Sequence, residues 1–120
     1  PDDHGALVFV GSPTAWAPAT SLLYASTKGG LHTFARGLAW QLRQTRTRVV
    51  EVMPPAVDTP LNPLAISKAD ADLVGEQAVA GVIAGHRTVH VGPTWLLALL
   101  ARLWPAAAMA LVEKASRPSR

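Results

Sequence analysis

Apolar residues along this chain fall into short runs and helical stripes that predict a regular order of elements. Residues 6–10 read ALVFV, a continuous apolar run with β-branched and aromatic members, ended by Gly11-Ser12-Pro13. That is the pattern of a parallel strand buried on both faces. A loop rich in Pro, Ala and Thr leads to a long segment from about Leu22 to Thr45. There Leu31, Phe34, Ala35, Leu38 and Leu42 recur at three- and four-residue steps and predict a helix that buries this face. Arg48 to Met53, RVVEVM, is a second strand, stopped by Pro54-Pro55, which cannot donate ladder bonds. Ser67 is placed to cap a helix reaching about Ala84, with Ala69, Leu73, Gln77 and Val79 to Val82 as its inner stripe and Gly85 as its stop. Thr88 to Val91 makes a third short strand.

The order strand, helix, strand, helix, strand predicts an α/β fold: a parallel sheet of about three strands, right-handed crossovers, and helices on its faces. This is doubly wound architecture. The chain of 120 residues opens at Pro1 without an initiator Met and reaches a strand almost at once, so we expect it to be a piece of something longer, residues 1–120 forming one partial domain. The first strand would then lack a neighbour on one side, and such an apolar edge is expected to self-associate. Within residues 93–115 lies an apolar segment, Trp95 to Val112, interrupted by Arg102 and Pro105. An Arg near the middle of a bilayer span costs about 2.5–3.5 kcal/mol. The expectation is therefore an amphipathic helical segment, broken near Pro105 and packed on the core, on a partner or on a membrane surface.

Composition narrows the chemistry. No cysteine is present, which excludes disulfide scaffolds, thiol nucleophiles and Cys-ligated zinc and fits a cytoplasmic protein. The net charge is +3 and Arg43, Arg46 and Arg48 cluster. No aromatic residues interleave with them, and two are expected in the last turn of a helix, where cations complement the macrodipole, so nucleic-acid binding is not expected. His32, His86 and His90 lack carboxylate partners at ligand spacing and read as ordinary helix and strand residues, with no metal site.

The informative positions are Gly11-Ser12, then Tyr24-Ala25-Ser26-Thr27-Lys28, then Pro54-Pro55-Ala56-Val57-Asp58-Thr59. Tyr24 and Lys28 are four apart on a helix and project from one face. Ser12 and Thr59 each follow a strand at its C-terminal end, the end where open α/β sheets bind ligands. Ser26 and Thr27 beside them are expected to bond back to helix carbonyls.

This ordered set resembles the short-chain dehydrogenase/reductase family. YASTKGGLHTFARGLAWQL followed by VVEVMPPAVDTPL looks most like its DltE-like oxidoreductases. The likeness runs through the chain up to the C-terminal helix and is weakest after Leu64. It implies the C-terminal part of a Rossmann-type sheet and hydride transfer between a nicotinamide cofactor, NADP in slight preference to NAD, and a small-molecule carbonyl or secondary alcohol. A homo-oligomer is expected as well.

The residue roles implied are catalytic for Ser12, Tyr24 and Lys28. A free tyrosine holds its proton at neutral pH, and a nearby ammonium stabilises the phenolate, so Lys28 would ready Tyr24 as general acid or base. Ser12 would hydrogen-bond the substrate oxygen, and Lys28, with Tyr24 beside it, would also contact the cofactor, Lys28 holding the ribose hydroxyls of the nicotinamide. Pro54, Pro55, Val57 and Thr59 would line the nicotinamide, although the family commonly has Pro-Gly where Pro54-Pro55 stands. The loop from Leu61 to Ser67 would cap an apolar substrate pocket.

The family's glycine-rich phosphate turn is not in this sequence. Gly29-Gly30 follows the motif inside a helix and reads as a packing feature. A piece without that turn is expected to be inactive by itself, and the alternative reading is a non-catalytic remnant serving as an interaction module.

Overall fold

The first apolar run forms strand β1, Gly5–Val10; RVVEVM lies in β2, Thr47–Met53; and Thr88–His90 is β3. In this computed structural model, which describes residues 4–55 and 70–116, the strands pair in parallel in the order β1-β2-β3. A short 3-10 turn, Pro13–Ala15, follows β1; helix α1, Leu22–Gln41, joins β1 to β2; and α2, Ala71–Ile83, precedes β3. Helices α3, Thr94–Leu103, and α4, Pro105–Ser116, follow the sheet, with the break at Trp104–Pro105 where the proline predicts it. The fold is thus the expected α/β arrangement.

Side chains alternate between faces along a strand, so the register decides which helix covers which side. Phe9 stands beside Glu51, and both meet α1: Glu51 bonds His32, and the rings of Phe9 and Phe34 meet edge-on at 6.0 Å. Val52 stands beside Val89, and with Val50 these pack against Val74, Ala78 and Val82 of α2 on the other face. Helices therefore cover both faces, as a doubly wound sheet requires. The strands nevertheless step in one direction while the helices change face. The two crossovers consequently have opposite hands, not the expected pair of right-handed ones. The right-handed preference arises when a twisted strand feeds directly into its helix, whereas residues 54–70 stand between β2 and α2 in the chain.

Several local expectations are corrected by packing. The strand expected to be buried on both faces, β1, exposes Leu7, Val8 and Val10, because it is an edge strand in this chain and α2 lies over β2 and β3. Helix α1 ends at Gln41, short of Thr45, and Arg43 just beyond it donates Nη1 to the Trp40 carbonyl at 2.7 Å while stacking on the Trp40 ring. Arg48 lies in β2 and donates to the Val82 carbonyl near the end of α2 at 3.0 Å. Within α1, Ala25 and Ala35 are buried, whereas Phe34 is 58% exposed although its ring meets that of Phe9 on the sheet. Gly29 and Gly30 are not packing features here: a Cβ at either would meet nothing within 4 Å.

The cap of α2 is Asp70, whose Oδ1 accepts from the backbone N–H of Asp72 at 2.8 Å and of Leu73 at 3.4 Å. Ser67 lies outside the described residues. The inner stripe is Val74, Ala78, Gly81 and Val82, not Leu73 and Gln77, since α2 is apolar on most sides and only contact with β3 selects its phase. Gly85 ends the helix as expected, at φ +87°, with Gly85 N–H bonded to Val82 O and His86 N–H to Gly81 O, both at 3.1 Å.

Gly81 is where α2 touches the sheet. A Cβ there would lie 2.6 Å from both methyl carbons of Val89. Gly81→Ala is expected to cost about 1–2 kcal/mol through overpacking, read as a lower thermal midpoint. Adding Val89→Ala should recover part of the loss, and an unchanged midpoint in Gly81→Ala would refute the contact.

Candidate functional site

The described candidates gather where β1 and β2 end. Gly11 prolongs the ladder, its N–H bonding the Val52 carbonyl at 2.8 Å. A Cβ on it would fall 2.7 Å from Met53 Sδ, so glycine at residue 11 lets the chain pass close over the buried Met53 without displacing its thioether. Ser12 is thereby set at the rim, 8% exposed. Its backbone is extended and its Oγ caps the 3-10 turn, accepting from Thr14 N–H at 3.3 Å and lying 2.9 Å from Thr14 Oγ1.

Tyr24 and Lys28 stand one turn apart near the start of α1, as their spacing predicts. Lys28 Nζ donates to the Val10 carbonyl at 3.0 Å and lies 5.8 Å from the centroid of the Tyr24 ring. The ammonium is thus tethered to the strand end that leads to Ser12. Tyr24 is 51% exposed beside it. Ser26 and Thr27 do bond back, to Leu22 O at 2.7 Å and Leu23 O at 2.9 Å, which removes both hydroxyls from the site. Pro54 and Pro55 follow β2, half-buried. Val57, Thr59 and the loop from Leu61 to Ser67 lie outside the described residues.

One residue of the site and one partly buried pair beside it, between α1 and β2, escaped the sequence reading. Thr14 is the residue, and no sequence signal marks it beyond its place two residues after Ser12. His32 and Glu51 are the pair: His32 Nδ1 lies 2.7 Å and 2.9 Å from the two carboxylate oxygens of Glu51, which is only 7% exposed. A signal for His32 existed, since a glutamate in the apolar run RVVEVM demands a partner once buried.

His90, at the end of β3, lies with its ring 5.7 Å from that of Trp16. Although the residue keeps solvent contact, burial lowers its pKa from the ordinary histidine value. An unfolded histidine takes up its proton as pH falls through about 6.5, while the folded one resists. Stability present above that value is therefore lost as pH falls from there through the lower folded pKa. Thermal midpoints should decline less steeply in His90→Gln than in the unaltered protein between about pH 7 and 5; identical slopes would remove His90 as the cause.

A tethered cation, a phenol beside it and a serine hydroxyl at the same strand end suit stabilisation of charge on an oxygen and transfer of one proton. Comparison with known proteins bears on the same residues. Residues 2–69 match the short chain dehydrogenase family. A stretch of 60 residues is 47% identical to the uncharacterized oxidoreductase DltE of Bacillus subtilis (strain 168), covering 49% of this chain and 24% of that protein. In structure the chain is similar to a short chain dehydrogenase from Burkholderia cenocepacia J2315 in complex with NADP, with a TM-score of 0.80 and 22% identity over 90% of this chain. It is also similar to the bulky-bulky ketone specific alcohol dehydrogenase from Comamonas testosteroni, with a TM-score of 0.64 and 23% identity over 85% of this chain. At these identities the structural likenesses speak for the fold. The chain spans 47% and 42% of those two structures, about half of each.

Proposed function

Since this chain belongs to the short chain dehydrogenase family, we propose that it carries the catalytic groups of an NAD(P)-dependent oxidoreductase acting on a small ketone, aldehyde or secondary alcohol. The observation that carries this reading is the Lys28 ammonium held on the Val10 carbonyl, next to Tyr24 and at the strand end leading to Ser12. The residues fit a nicotinamide ribose: after its bond to Val10, Lys28 keeps two N–H donors for hydroxyl groups. NADP is preferred slightly to NAD, in keeping with the ligand of the Burkholderia relative. When bound, the cofactor supplies or takes the hydride.

The chain's own residues do the rest. Tyr24 gives or accepts the proton at the substrate oxygen, and Lys28 favours its phenolate by charge. Ser12 donates a hydrogen bond to that oxygen as charge develops there. Ser12 Oγ already accepts from Thr14 N–H and lies 2.9 Å from Thr14 Oγ1; with the Thr14 hydroxyl donating to it in the substrate complex, the single Ser12 proton is left for the substrate. Pro54, Pro55, Val57 and Thr59 would line the nicotinamide. The exposed Leu22, Leu23 and Trp40 of α1 support assembly into a homo-oligomer, and a cysteine-free chain suits the cytoplasm. No observation favours the non-catalytic interaction module.

The test is nicotinamide turnover by the full-length protein with a panel of ketones, aldehydes and secondary alcohols, together with binding of NADP and NAD. Turnover with any of them supports the reading, and neither turnover nor binding refutes it. Thr14→Val is expected to lower kcat about tenfold with KM nearly unchanged, because a hydroxyl that orients the oxyanion donor is lost. Thr14→Ser should restore the rate, whereas full activity in Thr14→Val would leave Thr14 as a turn residue only.

A further inference from the structure

Beyond β3 the chain's surface chemistry changes. Residues 1–93 hold seven Lys and Arg against seven Asp and Glu, whereas residues 94–120 hold Arg102, Lys114, Arg117 and Arg120 against Glu113 alone. The whole net charge of +3 therefore belongs to the C-terminal segment. Among the described residues, the same segment presents a continuous apolar stripe. On α3, Trp95, Leu96, Leu99 and Leu103 are each about half or more exposed and recur at helical spacing along one side, with Arg102 among them and Trp104 exposed at the joint to α4. The opposite end of the helix is anchored: the buried Thr94 hydroxyl lies 3.0 Å from the Met53 carbonyl, which fixes the stripe relative to the sheet.

From this pairing of charge and apolar surface, we infer that the α3 stripe docks the protein on an anionic membrane surface, lying in the headgroup layer. Three observations select a lipid surface over other occupants. Tryptophans at both ends of the helix suit the boundary between apolar and wet layers, since their rings are amphipathic. A helix of ten residues is about 15 Å long, half of a bilayer's apolar thickness, so it can only lie in the plane; among the described residues no helix is long and apolar enough to cross. A second copy seated on the stripe would bring two segments of like charge together, whereas an anionic lipid surface attracts both the cations and the leucines.

The inference does not rest on the oxidoreductase reading, and its experiment needs no turnover. Full-length protein is floated with vesicles of phosphatidylcholine alone and with an equal mixture of phosphatidylcholine and phosphatidylglycerol. At low salt we expect protein to float with the mixed vesicles and at least about tenfold less with phosphatidylcholine alone, an effect that added salt weakens. Leu99→Glu should abolish flotation through the stripe and Arg102→Glu should weaken it through charge, each keeping the circular dichroism of the unaltered protein. Absence of flotation on the mixed vesicles would overturn the inference, as would equal flotation of both variants and the unaltered protein. A concentration-dependent dimer broken by Leu99→Glu, without vesicle binding, would overturn it in favour of a second copy.

Discussion

Tyr24→Phe in the full-length protein is expected to lower kcat by about 10²–10⁴-fold, the range for loss of a positioned general acid or base, while nicotinamide affinity and thermal stability stay nearly unchanged. The substitution removes one hydroxyl from a side chain that is half exposed, so little packing is at stake. Lys28 keeps its bond to the Val10 carbonyl and remains beside the phenyl ring, so the cation that would hold the ribose is still in place. Steady-state kinetics with a responsive substrate, paired with cofactor titration, separate the two effects. Retained turnover would take Tyr24 out of the chemistry, and a parallel loss of cofactor binding would make its role one of holding the nicotinamide.

The second large effect concerns stability. His32→Leu is expected to cost about 3 kcal/mol, because it leaves the Glu51 carboxylate, 7% exposed in the middle of β2, without the side chain that now lies within 2.9 Å of both its oxygens. A solvent-exposed pair would contribute far less; burial of the carboxylate is what raises the penalty. The double variant His32→Leu/Glu51→Leu should recover most of the loss, since two apolar groups of similar size replace the pair. Chemical denaturation of the three proteins decides. Single and double variants losing the same stability would show that the pair matters for shape and not for charge.

Both predictions depend on geometry that the sequence carries to different degrees. The Tyr24–Lys28 spacing and the glycine before Ser12 are local, and local rules suffice to place them on one helix face and one strand end. Their meeting is not local: it takes the parallel register and the crossover of α1 to bring Lys28 within reach of the Val10 carbonyl. Glu51 shows the converse case. Its charge in an apolar strand was visible, but its partner lies nineteen residues earlier on a different element, and only packing identifies it. The inner face of α2 was misjudged for a related reason, since several stripes of that helix are apolar and the approach of Gly81 to Val89 selects one.

By itself, the amino-acid sequence determined the order of strands and helices, the break at Pro105, the helix stop at Gly85 and the family-like set Ser12, Tyr24 and Lys28. These follow from backbone preferences and from spacings within single elements. Tertiary structure alone decided which helix covers which face, the opposite hands of the two crossovers, the pairing of His32 with Glu51 and of Thr14 with Ser12, and the exposure of β1. Those depend on contacts between residues distant in the chain or hydrogen bonds set by a particular turn, and no local periodicity encodes which of several apolar faces a neighbour will cover.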